Sequence, residues 1–432
     1  MHYIILLLSI PLAIFADDRL RLKRADILEN VVIDGQAVQY LTGNVVFEKG
    51  AMIINCAKAI NIEKTGQGSM IGNVKVVDDN RSLTCDSLHY DSPNDILNGF
   101  GNARVWDNDY DLLADTLVYY SKLDSGIARG NAELTQKSQI ITSHSIYYAK
   151  HTGEDAVSYT AEGDVTILED ERKATCGLAI YNREDQTTWL KLNPNVTEKD
   201  QTMAGSEIIL RYKDEVMEHL YIPEQAHVTT LTKGLREIKI SLNDTTTTRS
   251  EVQFVDDLTG SSLQGFFDAG QMDSLQVEGM ATSLYHIFED SIYQGKNIAS
   301  GDTIIMSFEE NNLDHIVVSG GSRGEYTPDS VTANIDGQII YSSEIIDYKV
   351  DQEQTDLHGN AKIHYTNMDL DAGFINVDWQ SNMVNATPQS NLDSNFTFLK
   401  PTILEQGRDP MTGDEMTYNL TSKKGRVTKG RT

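Results

Sequence analysis

The feature that most constrains the fold is a tripeptide that recurs at a fixed period. Gly-Asn-Val or Gly-Asn-Ala begins at four glycines spaced 29 residues apart, which are Gly43, Gly72, Gly101 and Gly130. Looser copies begin at Gly163, Pro194 and Gly359. Self-similarity at such a period is typical of stacked supersecondary units, so the sequence predicts a repeat protein.

Each repeat contains two short runs with the periodicity of β-strands. After the glycine, apolar residues alternate with polar ones, as Val74 and Val76 do around Lys75, which is the pattern of a half-buried strand. A small residue follows each glycine by 13 positions and opens the second run; these residues are Cys56, Cys85, Ala114, Ser143, Cys176 and Ala372. Asp and Asn between the runs favour turns. Because no window carries a sustained helical stripe, the predicted fold class is all-β.

The second half of the chain repeats at a longer period. The segment Leu275–Gly279 recurs as Ile316–Gly320, 41 residues later, which we interpret as the same architecture with larger loops. The period is lost in a polar stretch near 243–249. We therefore predict a first repeat array over 17–240, a second over 255–400 and a C-terminal segment over 401–432.

Charge and the N-terminus restrict the compartment and the partners. The chain has 36 basic and 64 acidic side chains, a net charge of −28, which argues against nucleic acid as a partner. The apolar run Tyr3–Phe15 ends at Ala16 before two aspartates, so residues 1–16 are predicted to be a secretory signal peptide. The three cysteines occupy the small-residue position of the repeat, so we predict buried thiols without a disulfide.

No motif predicts catalysis, a cofactor or a metal site. Gly320–Gly324 matches the nucleophile-elbow pattern G-x-S-x-G, but that pattern requires a helix directly after the serine. Here Glu325–Asp329 contains Pro328 and a β-branched threonine. The ten histidines are scattered, and neither H-E-x-x-H nor C-x-x-C occurs. The chain is therefore predicted not to be an enzyme.

The repeats resemble a known family. The opening Ala25-Asp26, the stretch Gly43–Phe47 and the repeated Gly-Asn-Val/Ala and small-Asp-x-Leu-x-Tyr units are similar to the OstA-like family of lipopolysaccharide-transport proteins (LptA and the periplasmic N-terminal domain of LptD). The resemblance covers residues 20–200 and, less closely, 260–380. The tail Met411–Val427 resembles the stretch that follows the repeats in the outer-membrane member.

The resemblance implies both a fold and a function. The fold is a repeat-built, open β-jellyroll, a V-shaped stack of antiparallel strands with an apolar interior. The function is lipopolysaccharide transport in the periplasm, by a protein that is either free or attached to the outer membrane, with other transport proteins bound by edge-strand pairing. The interior would shield the acyl chains of lipid A, since each exposed methylene costs about 0.8 kcal/mol. The predicted groove residues are Val45, Phe47, Val74, Val76, Ala103, Val105, Leu134, Val165 and Ile167.

Two other interpretations fit the same alternation. The inward residues would equally line the closed core of a secreted β-solenoid, structural or adhesive, with no lipid cargo. A polysaccharide-acting β-helix enzyme is the other alternative, although its carboxylates should cluster on one face, whereas the acids of this chain lie mainly in turns. Alternation alone does not distinguish an open groove from a filled core.

Overall fold

The described chain is built almost entirely of β-strands. A computed structural model describes residues 20–62, 64–78, 81–108, 110–123, 125–150, 157–214, 216–239, 247–310, 312–389, 396 and 398–432. The predicted signal peptide, residues 1–16, lies outside these ranges. Within them the single helical element is the 3-10 turn Ser121–Leu123, and no helix there has the length and apolarity to cross a bilayer. The predicted all-β class is confirmed.

The chain forms two compact units, Met1–Ile167 and Leu168–Thr432. The strands that begin in the first unit are β1 Arg21–Arg24, β2 Ile27–Ile33, β3 Gln36–Lys49, β4 Met52–Ile62, β5 Gln67–Asp78, β6 Arg81–Asp91, β7 Ile96–Trp106, β8 Asp111–Tyr120, β9 Ser125–Gln136, β10 Gln139–Lys150 and β11 Val157–Glu169. The predicted arrays, 17–240 and 255–400, divide the chain by its sequence repeats and not by its compact units. They therefore remain a prediction.

Antiparallel pairing in chain order explains the 29-residue period. From β3 to β10, each strand pairs antiparallel with the next. One repeat is therefore one hairpin plus the turn that leads to the next hairpin. This confirms the predicted stack of antiparallel strands.

The repeated Gly-Asn forms a corner within a strand. Gly101 and Asn102 both have positive φ, at 73° and 44°, and the pairing register shifts between Phe100 and Ala103. Such a bulge bends the strand. The same pair of left-handed residues occurs at Gly43, Gly72 and Gly130. The corner divides each strand into two arms. In β5 the first arm is Gln67–Ile71 and the second arm is Val74–Asp78. In the other strands, the part that pairs with a first arm is also called a first arm, and the part that pairs with a second arm a second arm.

An acidic residue of the preceding strand stabilises most of these corners. Asn102 Nδ2 donates to Asp86 Oδ2 at 3.0 Å, and the equivalent bonds are Asn44 to Asp26, Asn131 to Asp115 and Asn360 to Glu344. This bond accounts for the Asp that follows the small residue in the repeat.

The second unit contains the longer repeats. Its strands are β12 Arg172–Asn182, β13 Thr187–Lys191, β14 Asn195–Glu198, β15 Gln201–Ala204, β16 Glu207–Lys213, β17 Val216–Ile222, β18 Ala226–Lys239, β19 Thr247–Gly260, β20 Ser262–Asp268, β21 Gln271–Glu289, β22 Ile292–Glu309, β23 Asn312–Pro328, β24 Ile339–Lys349, β25 Gln354–Tyr365, β26 Met368–Asp378, β27 Met383–Thr387, β28 Thr402–Glu405, β29 Met411–Thr412, β30 Glu415–Asn419 and β31 Lys424–Thr428. The strands β21, β22 and β23 have 19, 18 and 17 residues. The 41-residue period therefore comes from longer strands, and the interpretation that it reflects larger loops is wrong.

Two places in the second unit depart from the simple repeat. At the copy that begins with Pro194, proline cannot take a positive φ, and Leu192 and Asn193 form the left-handed pair instead. The strand is interrupted there, between β13 and β14. On either side of the polar stretch near 243–249, β18 and β19 pair with each other from Ala226 and Gly260 to Lys239 and Thr247.

Candidate functional site

The predicted groove residues lie on one face of the first unit's strands. Val45, Phe47, Val74, Val76, Ala103, Val105, Leu134 and Val165 have exposures of 6% or less. Ile167 is only half-buried, so it is the one residue of the predicted set at the margin of the apolar face. Their neighbours Lys75 and Arg104 are exposed. The predicted inward and outward positions of these strands are therefore those of the structure.

Strand pairing joins these residues into a continuous apolar row along the second arms. Residues directly opposite one another in an antiparallel pair share a face. The successive partners in this row are Phe47, Ile54, Val76, Leu83, Val105, Leu112 and Leu134. A parallel row of smaller residues lies next to the corners and includes Cys56, Cys85 and Ala114.

The first arms carry a second apolar row, which the sequence analysis missed. Its successive partners are Leu41, Ala59, Met70, Leu88, Gly99, Leu117, Ala128 and Ile146. At about 4.8 Å per strand spacing, this row extends over about 34 Å. The sequence signal that could have predicted this row is the leucine of the repeated small-Asp-x-Leu-x-Tyr unit, as in Leu88 and Leu117.

The two arms face each other across the interior of the first unit. A cavity of about 20 Å³ is lined by Val105, Leu112 and Leu134 from the second arms and by Leu117 and Ile146 from the first arms. The other lining residues are Tyr110, Tyr119, Gly126, Tyr148 and Tyr159. This volume holds about one water molecule. At this cavity the interior is therefore apolar on both sides, with little free space between the arms.

A buried charged contact joins the far ends of the two arms. Lys49, at the end of the second arm of β3, contacts Asp95 in the turn after β6 and donates to Tyr90 Oη at 3.1 Å. Tyr90 in turn donates to Asp95 Oδ1 at 2.7 Å. Burial opposes ionisation of Asp95, but the hydrogen bonds from Lys49, Tyr90 and Lys122 lower the pKa of this carboxyl below its ordinary value. The Lys49–Asp95 contact therefore closes the interior at this edge.

The equivalent edge farther along also has a cation against a tyrosine. Arg81, the first residue of β6, donates to Tyr119 Oη, and its guanidinium lies 5.2 Å from the centre of that ring. Arg81 begins a second arm, and Tyr119 is the last residue but one of the first arm of β8. Two contacts of the same kind thus join the arms on the side away from the corners.

The serine of the G-x-S-x-G pattern and the three cysteines are all buried in the structure. Ser322 is 1% exposed within β23, and its hydroxyl donates to the backbone oxygen of Ser343 at 2.7 Å. No helix follows it, because β23 continues to Pro328, so this motif does not form a nucleophile elbow. Cys56, Cys85 and Cys176 are buried and unpaired, as predicted. Burial raises the pKa of the Cys56 and Cys85 thiols to about 11.

Comparisons with known proteins agree with the repeat analysis. Residues 113–216 match the family model described as "LptA/(LptD N-terminal domain) LPS transport protein". No curated protein matches the chain. Among solved structures, the chain is similar to LptH, the LptA-homologous periplasmic component of the lipopolysaccharide transport device of Pseudomonas aeruginosa, at 19% identity and a TM-score of 0.28, with coverage of 36% of this chain and 95% of that one. The predicted resemblance to the OstA-like lipopolysaccharide-transport family is thus confirmed, and residues 113–216 carry it.

Proposed function

We propose that the chain is a periplasmic lipopolysaccharide-transport protein whose first unit shields acyl chains between its two arms. The family match over residues 113–216 is the observation that carries this proposal. The apolar row of the second arms supports it, because it offers a large apolar side chain at every strand from β3 to β9 and so a path of nearly uniform affinity. Transport along such a path needs no chemistry by this chain, only lipid supplied and driven from elsewhere.

Entry of an acyl chain requires the arms to separate. The cavity between the arms has room for about one water molecule, far less than a lipid tail occupies. The contact between Lys49 and Asp95 would open, and both charges would then regain water. The apolar area exposed by opening is covered again by the acyl chain, at about 25 cal/mol for each Å².

The N-terminal edge is the proposed docking site for another transport protein. Among the described strands, β2 pairs only with β3, and it exposes Ile27, Val31 and Val32, the last at 74%. An unpaired edge of this kind accepts a further strand. The edge strand β31, in the second unit, instead exposes Lys424 and Arg426, and charged residues on an edge disfavour pairing.

The proposed cargo is tested by one inward and one outward substitution. Val105→Asp places a carboxylate against acyl chains, so the affinity of the purified chain for lipopolysaccharide should fall by about tenfold or more. The arms can separate and hydrate the new charge, so circular dichroism should still show the strands. Leu113→Asp is the matched control, because Leu113 is 40% exposed on the opposite face of the neighbouring strand, and its affinity should equal that of the parent.

The closed-core alternative gives a different pair of results. If the interior is a permanent core, Val105→Asp unfolds the first unit and the parent chain binds no lipopolysaccharide. That combination would support a secreted β-solenoid without lipid cargo.

A further inference from the structure

A polar cluster lies on the outward face of the second unit, across four neighbouring strands. Asp347 of β24 is directly opposite Asp356 of β25, and Asp356 is opposite Asn376 of β26. The alternate residues of these strands, such as Ile346 and Leu357, form the core. The cluster therefore belongs to the other face of the sheet and is separate from the apolar interior.

Three side chains of this cluster converge. One ligand-type atom from each of Asp347, Asp356 and His358 lies within 4.8 Å of the other two. The rings of Phe374 and Phe396 lie 5.1 and 5.8 Å from that of His358, and they fix its position. Asp356 is only 7% exposed, so the site is not an ordinary solvated acidic surface.

Two of these three residues each carry a polar atom without a hydrogen-bond partner. Asp347 Oδ1 and His358 Nδ1 are both buried and unsatisfied among the described residues. Leaving a buried polar atom without a hydrogen-bond partner is unfavourable. A cation between them would satisfy both atoms at once.

A second histidine, His315 of the neighbouring strand β23, contacts Asp347. His315 Nδ1 lies 2.9 Å from Asp314 Oδ2, and His315 Nε2 lies 3.5 Å from Asp347 Oδ1. Histidines that bind metals commonly donate their other ring N–H to a carboxylate. The 3.5 Å separation is close to the spacing of about 3.4 Å between two ligand atoms of a tetrahedral zinc ion.

The remaining contacts of Asp356 leave it able to take part. Its carboxylate accepts from Lys349 Nζ at 2.6 Å and from Asn376 Nδ2 at 2.7 Å, and a carboxylate has about four acceptor positions. Asp347 and Asp356 together outweigh the single charge of Lys349, so the site keeps a net negative charge for a divalent ion.

We propose that Asp347, Asp356 and His358, together with His315, bind a divalent transition-metal ion such as Zn²⁺ and thereby link strands β23, β24 and β25. Imidazole nitrogen and carboxylate oxygen are ligands that zinc accepts in tetrahedral sites. The ion would fix the register of these strands on the outward face of the second unit.

The full chain, freed of metal with a chelator, is titrated with Zn²⁺ in competition with a chromophoric indicator. One ion per chain should bind. His358→Gln and Asp347→Asn should each weaken binding by about 100-fold, and Asp314→Asn, which acts through His315, by about 10–100-fold. His364→Gln is the matched control, because His364 forms a similar contact with Asp369 at 2.7 Å but is half exposed and has no third ligand nearby among the described residues.

A second measurement does not depend on folding of the variants. Co²⁺ added to the parent chain should give the visible d–d absorption of a tetrahedral site with nitrogen and oxygen ligands, and Zn²⁺ should displace it. The proposal is overturned by an absence of both stoichiometric Zn²⁺ binding and this absorption, or by an equal loss of affinity in His364→Gln and His358→Gln.

Discussion

At the scale of single residues, the corner explains why the repeat is written as Gly-Asn. Gly43 has a φ of 79°, and a Cβ added there would lie 2.5 Å from Asp26 Oδ2. Both the conformation and the close carboxylate therefore require glycine. Asn44 tolerates the left-handed region, and its side chain bonds the same carboxylate. The residue types of the motif thus follow from one local geometry.

One corner lacks the favoured residue, and this leads to a stability prediction. Met280 occupies the asparagine position with a φ of 52° and is 84% exposed. Because a non-glycine residue pays about 1 kcal/mol or more in this region and asparagine pays less, Met280→Asn should raise the free energy of unfolding by about 0.5–1 kcal/mol in urea titration. The exposed Met411, in strand β29, is the control: Met411→Asn should not stabilise. Equal effects at both positions would contradict the account.

The sequence predicts some of these residues better than others. It identified the glycines, the small-residue position and the unpaired cysteines, because each recurs at a fixed spacing. It did not predict the contact between Lys49 and Asp95 or the convergence of Asp347 and His358, since those partners come from different strands and follow no local pattern.

At the scale of strands, the edge strands β2 and β31 differ in chemistry. β2 exposes an apolar edge and β31 a basic one. Val32→Lys puts a charge on the apolar edge at a position that is 74% exposed. The variant should stay folded but lose capture of a transport partner by pull-down. Leu123→Lys, at a position 69% exposed in the 3-10 turn, should bind the partner as the parent does. Unchanged capture by Val32→Lys would mean that docking uses another surface.

The strands themselves were predictable to a useful degree. Alternation located the second arms and their inward residues, such as Val76 and Val105. It did not join the first arms into a row, because Gly99 and Ala128 interrupt the apolar pattern there. It also attributed the 41-residue period to loops, because sequence spacing does not separate a longer strand from a longer turn.

At the scale of the whole molecule, the repeats produce two continuous apolar rows inside the first unit. Their inward direction follows from pairing in register across eight strands. The same rows could form either a permanent core or a groove that opens to lipid. The two alternatives differ in whether the arms separate. The central claim is that they do, and that lipopolysaccharide enters between them.

Photo-crosslinking in cells tests this claim most directly. A photoreactive amino acid at inward Val76 or Val105 should capture lipopolysaccharide, whereas the same residue at outward Lys75 or Arg104 should not, because neighbouring residues of a strand point to opposite faces. Val76 and Val105 are 4% and 6% exposed, so capture there requires opening. Capture at the inward positions alone is the predicted result; capture at the outward positions alone, or at none of the four, would contradict the account.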